Sequence, residues 1–283
     1  MGDFLGMGKV TDKAMEAAKV VYPDLFQPAT KQAGKALETV FELGNTILLP
    51  IKLLNEKARL NFEKHMKKYE EKINKVPQEN ITRVLPDIGL PIIDRLTYLT
   101  NEEIADLFIN FLVSASLDTT INQAHPRFIN ILNSISVDEA RLIKYFYEKP
   151  ISYIPVIDYE LNVEESGILY PPRTEASITI IENSNNLKNE VEFISDDNIN
   201  LYLNNLESLG ILIKTTGKRI VTALDKYEMI EEMNRNKAEE IKEGKLPGLR
   251  DQYPNRNFNI SNSHGFYELT NLGETFVSIC NNQ

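Results

Sequence analysis

Residues 96–136, LTYLTNEEIADLFINFLVSASLDTTINQAHPRFINILNSIS, constrain the fold more than any other part of this chain. Apolar side chains fall at Ile104, Leu107, Phe108, Phe111, Leu112 and Ala115, with Leu117 beside them. That is the i, i+3, i+4, i+7, i+8, i+11 spacing of a helix with one face in a core. Thr100 and Glu103 precede the run at the spacing of a capping box, which satisfies two orphan amides. Asp118-Thr119-Thr120 breaks the pattern. Pro126 suits the first turn of a second helix, where its missing N–H costs nothing. Phe128, Ile129, Ile131 and Leu132 give that helix its apolar face. Ser136 and Glu139 form another capping box, ahead of Ala140, Ile143, Phe146 and Tyr147. Three helices with short links predict a compact α unit.

The helix NEEIADLFINFLVSAS, then AHPRF, then S-x-D-E-A-x-L-I-K-Y-F resembles the Abi-alpha family of bacterial abortive-infection proteins. The likeness is good from about Ala36 to Tyr147 and looser elsewhere. It implies a bacterial setting, anti-phage defence and a C-terminal part like a winged helix. The family offers no agreed catalytic residues to carry over.

Upstream of this unit the pattern is helical almost throughout, through Leu37, Val40, Phe41, Ile47, Leu48, Ile51, Leu54, Ala58, Phe62, Met66, Tyr69 and Ile73. A proline inside a helix removes a hydrogen bond and clashes with the preceding turn, so Pro50 predicts a kink or break near residues 45–50. A shorter helix is expected over residues 11–22, ended by Pro23. Val40, Ile47, Leu48, Ile51 and Leu54, next to Lys52, Lys57 and Arg59, form a candidate contact surface. Glu38, Glu42 and Asn45 interrupt the apolar run, which is too short and too polar to span a bilayer. Two occupants stay open: self-association or another protein, and peripheral contact with an anionic membrane. Residues 1–75 hold 13 Lys and Arg against 10 Asp and Glu, so the rest of the chain carries −13 of the net −10. An acidic body repels nucleic acid, whereas a mildly basic arm suits an anionic surface.

After Lys149-Pro150 the composition changes. Residues 152–179 read as irregular segments and short strands. Asp196 or Asp197 caps a helix carrying Ile199, Tyr202, Leu203, Leu206 and Leu209, with Gly210 as its stop. Ile211-Leu212-Ile213 reads as a strand, residues 223–242 as a very polar helix, and residues 248–264 as loop. Tyr267-Glu268-Leu269 reads as a strand before a last helix with Leu272, Phe276 and Ile279. NLYLNNLESLGILI followed by FYELTNLGETFVSIC resembles a winged helix with a long insertion in the wing. Its candidate face holds Asn200, Asn204, Lys214, Lys218 and Arg219. The helix that would read DNA has no Lys or Arg and carries Asp196, Asp197 and Glu207. Phosphate contacts supply most non-specific affinity, so nucleic acid is an unfavourable partner.

No nucleotide, hydrolase or zinc-protease motif occurs. His65, His125 and His264 have no second His or Cys at ligand spacing. His125, before Pro126, reads as a helix-start residue, and Cys280 as an apolar structural side chain. Asp94, Glu102, Glu103 and Asp106 read as a solvated helix face rather than a metal site. A single cysteine excludes an intramolecular disulfide and fits a reducing cytosol. The start MGDFLGMGKV lacks a signal-peptide pattern, and Gly6 stands where a myristoylation motif wants Ser or Thr. The expectation is a mostly α protein, with a helical domain over residues 1–149 and a winged-helix-like α+β domain over 150–283. It is expected to be non-enzymatic, without cofactor or metal, cytoplasmic or peripheral to the inner membrane; a winged-helix DNA-binding regulator and an enzyme with a dispersed site are the alternatives. The stripe generates a test: Phe111→Ala costs about 3–5 kcal/mol in denaturant unfolding, as buried aromatic truncations do. A variant as stable as the parent places Phe111 outside the core.

Overall fold

The computed structural model describes residues 31–47, 55–149, 153–166 and 173–281. The first helices are α1 (Lys31–Ile47), α2 (Glu56–Ile73), α3 (Pro86–Tyr98), α4 (Glu102–Ala115), α5 (Arg127–Asn133) and α6 (Val137–Glu148). There follow β1 (Ile154–Glu165), β2 (Thr174–Ser184), α7 (Ile199–Ser208), β3 (Leu212–Thr216), α8 (Leu224–Gln252), β4 (Arg256–Leu269) and α9 (Asn271–Asn281). Two compact units result. One takes in the helices up to Tyr147 together with the chain from Thr275, the other Glu148–Glu274. The protein is thus mostly α with an α+β part. No helix among the described residues is long and apolar enough to cross a membrane.

In the helical unit α4 is the centre. Every residue from Leu107 to Ala115 is buried, so the stripe seen in the sequence is only part of a helix enclosed on all sides. Phe111 packs edge-on against Phe128 at 5.8 Å, and Phe128 against Phe276 at 5.4 Å. The polar positions of α4 find work there. Asn110 Nδ2 donates to the Cys280 carbonyl at 3.0 Å and Ser114 Oγ to the Ile279 carbonyl at 2.8 Å. These are carbonyls in the last turn of α9, which the helix itself leaves without partners. The end of the chain therefore returns to the helical unit.

The start of α4 differs from the sequence reading. Asn101, not Thr100, is the cap, and its Oδ1 accepts the Ile104 amide at 3.0 Å. Asn caps at least as well as Thr. Glu103 is then free for a bidentate contact with Arg141, with bonds of 2.7 to 3.1 Å. The second capping box forms as expected: Ser136 Oγ accepts the Glu139 amide at 3.3 Å, and the Glu139 carboxylate accepts the Ser136 amide at 2.6 Å. The expected helix over residues 11–22 and Pro50 lie outside the described residues.

In the second unit four antiparallel strands lie in the order β2-β1-β4-β3. On one face Ile157 and Tyr159 pack with Tyr227, Ile230 and Ala238 of α8. On the other, Glu160, Asn162 and Glu164 of β1 sit opposite Ser261, Asn259 and Asn257 of β4. A β-bulge places Glu182 and Asn183 against Asp158. Asn183 there takes φ +49°, and its N–H donates to Asp158 Oδ1 at 2.7 Å. Two sequence expectations are corrected. Residues 152–179, read as irregular segments and short strands, hold all of β1, a long strand, and the start of β2, and 248–264 hold the end of α8 and most of β4 rather than loop. Glu160, Asn162 and Glu164 of β1 and Asn257, Asn259 and Ser261 of β4 are poor strand formers taken alone, and long-range pairing overrides their turn preference. Helix α8 runs through Gly244 and Pro247 because Leu246 and Leu249 are buried anchors on its last turns. β4 pairs with β1 along its length, so the sheet is larger than a two-stranded wing.

Val40 is core in this structure, 1% exposed, and not a presented contact residue. It lies so close to Gly89 that a Cβ there would stand 2.4 Å from Val40 Cγ2. Gly89→Ala is expected to lower stability by about 1–3 kcal/mol through overpacking. Val40→Ala in the same chain relieves part of that loss, read as a positive coupling in thermal melts. Simple additivity of the two substitutions removes this contact.

Candidate functional site

The helical unit presents an open groove of about 590 Å³ where α2 begins and α3 ends. Lys57, Ala58, Asn61, Thr97, Tyr98 and Thr100 line it. Local sequence builds this shape. Asn55 caps α2 by accepting the Ala58 amide at 3.2 Å, and the first turn then displays Lys57. Leu99 turns extended at the end of α3, and the Thr97 hydroxyl donates to the Asp94 carbonyl at 2.7 Å. Tyr98 is left 52% exposed, with the Arg95 guanidinium over its ring at 4.9 Å. Such a cation–π contact holds a flat apolar surface and a charge together.

Most cations near the groove are committed. Arg59 bridges Glu63 at 2.7 Å. Lys68 lies 2.7 Å from Glu102 and 2.6 Å from Asp106, and Lys64 also bridges Glu102. The Lys64 and Lys68 hydrogen bonds outweigh partial burial and hold the Glu102 carboxyl down at about 2. Burial pulls the Lys68 ammonium down, but its bonds to Asp106 and Glu102 hold it above the ordinary lysine range. Of the acidic cluster read from the sequence, Glu102 and Asp106 thereby form an ion-pair network with Lys64 and Lys68, and Glu103 pairs with Arg141. Lys57 and Arg95 make no ion pair among the described residues.

A second polar cluster sits under α8. His264 Nε2 lies 2.6 Å from Glu231, and Arg219 Nη2 lies 3.3 Å from His264 Nδ1. A guanidinium only donates. Nδ1 must therefore be the acceptor, which leaves Nε2–H to donate to the Glu231 carboxylate. Both ring nitrogens are occupied, and Tyr227 packs edge-on against the ring at 5.3 Å. Nearby, burial and then Glu231 push the Tyr159 phenol up to about 12, against the pull of Arg235.

The structure separates the residues singled out in the sequence. Of the contact set, Val40 is core, Ile47 ends α1, and Leu48, Ile51, Lys52 and Leu54 lie outside the described residues. Lys57 lines the groove, and Arg59 is paired. Of the other set, Asn200 donates to the Glu182 carbonyl at 2.8 Å, and Asn204 is exposed. Lys214 is held by Asp158 at 2.6 Å, while its amide donates to Glu207 at 3.3 Å. Lys218 is exposed, and Arg219 faces His264 and Glu231. Cys280 is fully buried, and burial pushes its thiol well above the ordinary range. His125 Nδ1 accepts the Arg127 amide at 3.1 Å, a helix-start role. Sequence reasoning missed Tyr98, Arg95 and Asn61. The one local signal was Arg95 and Tyr98 at i, i+3, neighbours on a helix surface.

A family model described as abortive infection alpha matches residues 57–280. No curated protein matches the chain. Among solved structures, an uncharacterized protein from the hydrocarbon-degrading marine bacterium Alcanivorax borkumensis SK2 is 19% identical. That match covers 54% of this chain and 91% of that one, with a TM-score of 0.30.

The ion-pair network generates a pH prediction. A carboxylate held below its ordinary value of 4.5 adds stability that is present above that value and lost as pH falls toward about 2. Glu102→Gln is therefore expected to be less stable than the parent at pH 7, by about 0.2–1 kcal/mol because the pairs are exposed. Near pH 2 the two proteins converge in their melting temperatures. A deficit that persists at that pH assigns the loss to packing instead of charge.

Proposed function

Because this chain belongs to the abortive infection alpha family, we propose that it serves bacterial anti-phage defence through contact with protein or membrane rather than through catalysis. The observation that carries the reading is the contrast between the two polar regions. His264 has both nitrogens engaged, and Cys280 is a buried thiol pushed well up. General-base and nucleophile chemistry both need a group free to take or give a proton. At the groove, by contrast, Lys57 and Tyr98 are available, with the Arg95 guanidinium over the Tyr98 ring, and half-exposed Leu60 lies one turn on from Lys57 along α2. Cations beside exposed aromatic and aliphatic surface suit a partner interface. The apolar stripe Ile47, Leu48, Ile51 and Leu54 with Lys52 precedes α2 in the sequence and is a second candidate contact surface on its sequence pattern alone. On this reading the protein works in the cytoplasm or on the inner face of the membrane.

The second reading, a winged-helix DNA-binding regulator, has one feature in its favour, exposed Lys218 after β3. Lys214 is neutralised by Asp158, Arg219 by Glu231 nearby, and the 3-10 turn leading into α7 carries exposed Asp196 and Asp197. Gel shift with mixed duplex DNA at about 0.1 M salt is expected to give no complex at micromolar protein. Tight, salt-sensitive binding would replace the contact reading with the regulator.

In a bacterial host challenged with phage, expression of the protein is expected to lower plaquing. Tyr98→Asp, and separately Ile47→Asp with Ile51→Asp, lose that protection while circular dichroism stays native. His264→Gln and Cys280→Ala keep it. Loss of protection in a folded His264→Gln protein would turn the assignment to an enzyme.

A further inference from the structure

The chain has a second exposed apolar surface besides the groove, and the two are opposite in charge. It is the outer side of α8. That helix buries Tyr227, Ile230, Asn234 and Ala238 at i, i+3, i+7 and i+11. The opposite side carries Met229 at 44% and Met233 at 41% exposure, in one i, i+4 row with Asp225 and with Val221, 80% exposed, in the turn before the helix. Glu228 and Glu232 stand in the next row. No hydrogen bond or ion pair holds Asp225, Glu228 or Glu232 among the described residues. The same unit, Glu148–Glu274, has 13 Lys and Arg against 22 Asp and Glu and so carries −9 of the chain's −10.

We propose that the groove of one copy receives the outer face of α8 from a second copy, in a head-to-tail assembly. The methionines are unbranched and polarizable, the side chains best able to fill an irregular groove floored by Ala58 and Tyr98. Lys57 and Arg95 meet Asp225, Glu228 and Glu232, each supplying the charge that the other side lacks. Groove against groove would set cation on cation, so the contact joins unlike surfaces and makes a ring or an open chain. The partner is protein on charge grounds. An anionic bilayer or a nucleic acid would meet the groove cations but be repelled by a unit of −9. This deepens the contact reading by naming a partner. Its test reads mass and not phage protection, so either can fail alone.

The test is sedimentation velocity on the full chain at tens of micromolar, in about 0.1 M and 0.5 M salt. The parent is expected to sediment larger than a monomer and to shift toward monomer in the higher salt. Tyr98→Asp spoils the groove, and Met229→Asp with Met233→Asp spoils the helix. Each weakens association by about tenfold or more on its own. Mixed in equal amounts, each pair of molecules keeps one intact groove and one intact helix face. The mixture therefore forms dimers and nothing larger. Where a variant melts early, the milder Lys57→Glu and Glu232→Lys take its place, each weakening self-association, with association regained on mixing. A monomeric parent overturns the proposal, as does an oligomer indifferent to both surfaces or a mixture that stays monomeric. Pelleting with anionic vesicles that Tyr98→Asp abolishes would assign the groove to a membrane and overturn it equally.

Discussion

Burial of α4 from Leu107 to Ala115 is the constraint on which the helical unit depends. A helix with apolar surface on every side must sit at the centre of its unit, and a polar group left unbonded on it is costly. An unpaired buried amide or hydroxyl costs on the order of 1–3 kcal/mol. Ser114 meets this at the Ile279 carbonyl, and Asn110 meets it in half: its Nδ2 reaches the Cys280 carbonyl, while its buried Oδ1 has no hydrogen-bond partner among the described residues. Ser116 meets it by donating to the Leu112 carbonyl, and it also shares a hydrogen bond with Tyr69 at 2.7 Å. The last turn of α9 and the middle of α4 thus satisfy each other. The Phe111–Phe128–Phe276 series of edge-on contacts runs through the same place. Few substitutions there are tolerable, because packing and polar pairing share the same residues.

The sheet unit obeys a different rule, alternation. Along β1, Ile157, Tyr159, Leu161 and Val163 are buried, while Asp158, Glu160, Asn162 and Glu164 face the other way. Where the polar row meets the bulge, Asp158 takes both the Asn183 amide and the Lys214 ammonium. One half-buried carboxylate therefore fixes the irregular end of β2 and the middle of β3 together. A charge in such a position is tolerable only with partners of this kind.

How much of this was legible follows from whether the signal was local. The α4 stripe and the Ser136–Glu139 box are patterns of three or four residues' spacing, and both are present in the fold. The choice of Asn101 over Thr100 as cap was ambiguous, since adjacent residues both had capping side chains. The strands were hidden because Asn257, Asn259 and Ser261 have the chemistry of loop residues until β1 is known to lie beside them. Val40 fits an exposed stripe and a buried one equally well in sequence; only Gly89, far along the chain, decides it. The groove and the His264 cluster join residues from separate elements, such as Asn61 with Thr97 and Glu231 with His264. No periodicity connects such pairs.

The His264 cluster also shows why two charged neighbours need not make a reactive site. A carboxylate on one imidazole nitrogen orients the ring, as it does in hydrolases, but the other nitrogen must then face something able to lose a proton. Here it faces Arg219, whose guanidinium donates a hydrogen bond and is no substrate proton source. The guanidinium also lies 3.8 Å from Glu231, so cation, imidazole and carboxylate close on one another. A closed set of this kind holds the turn before α8 against β4 and leaves no lone pair to work on a substrate. The groove is the opposite case: Lys57 and Arg95 keep their charges open beside exposed Tyr98, the condition under which charge complementarity selects a partner.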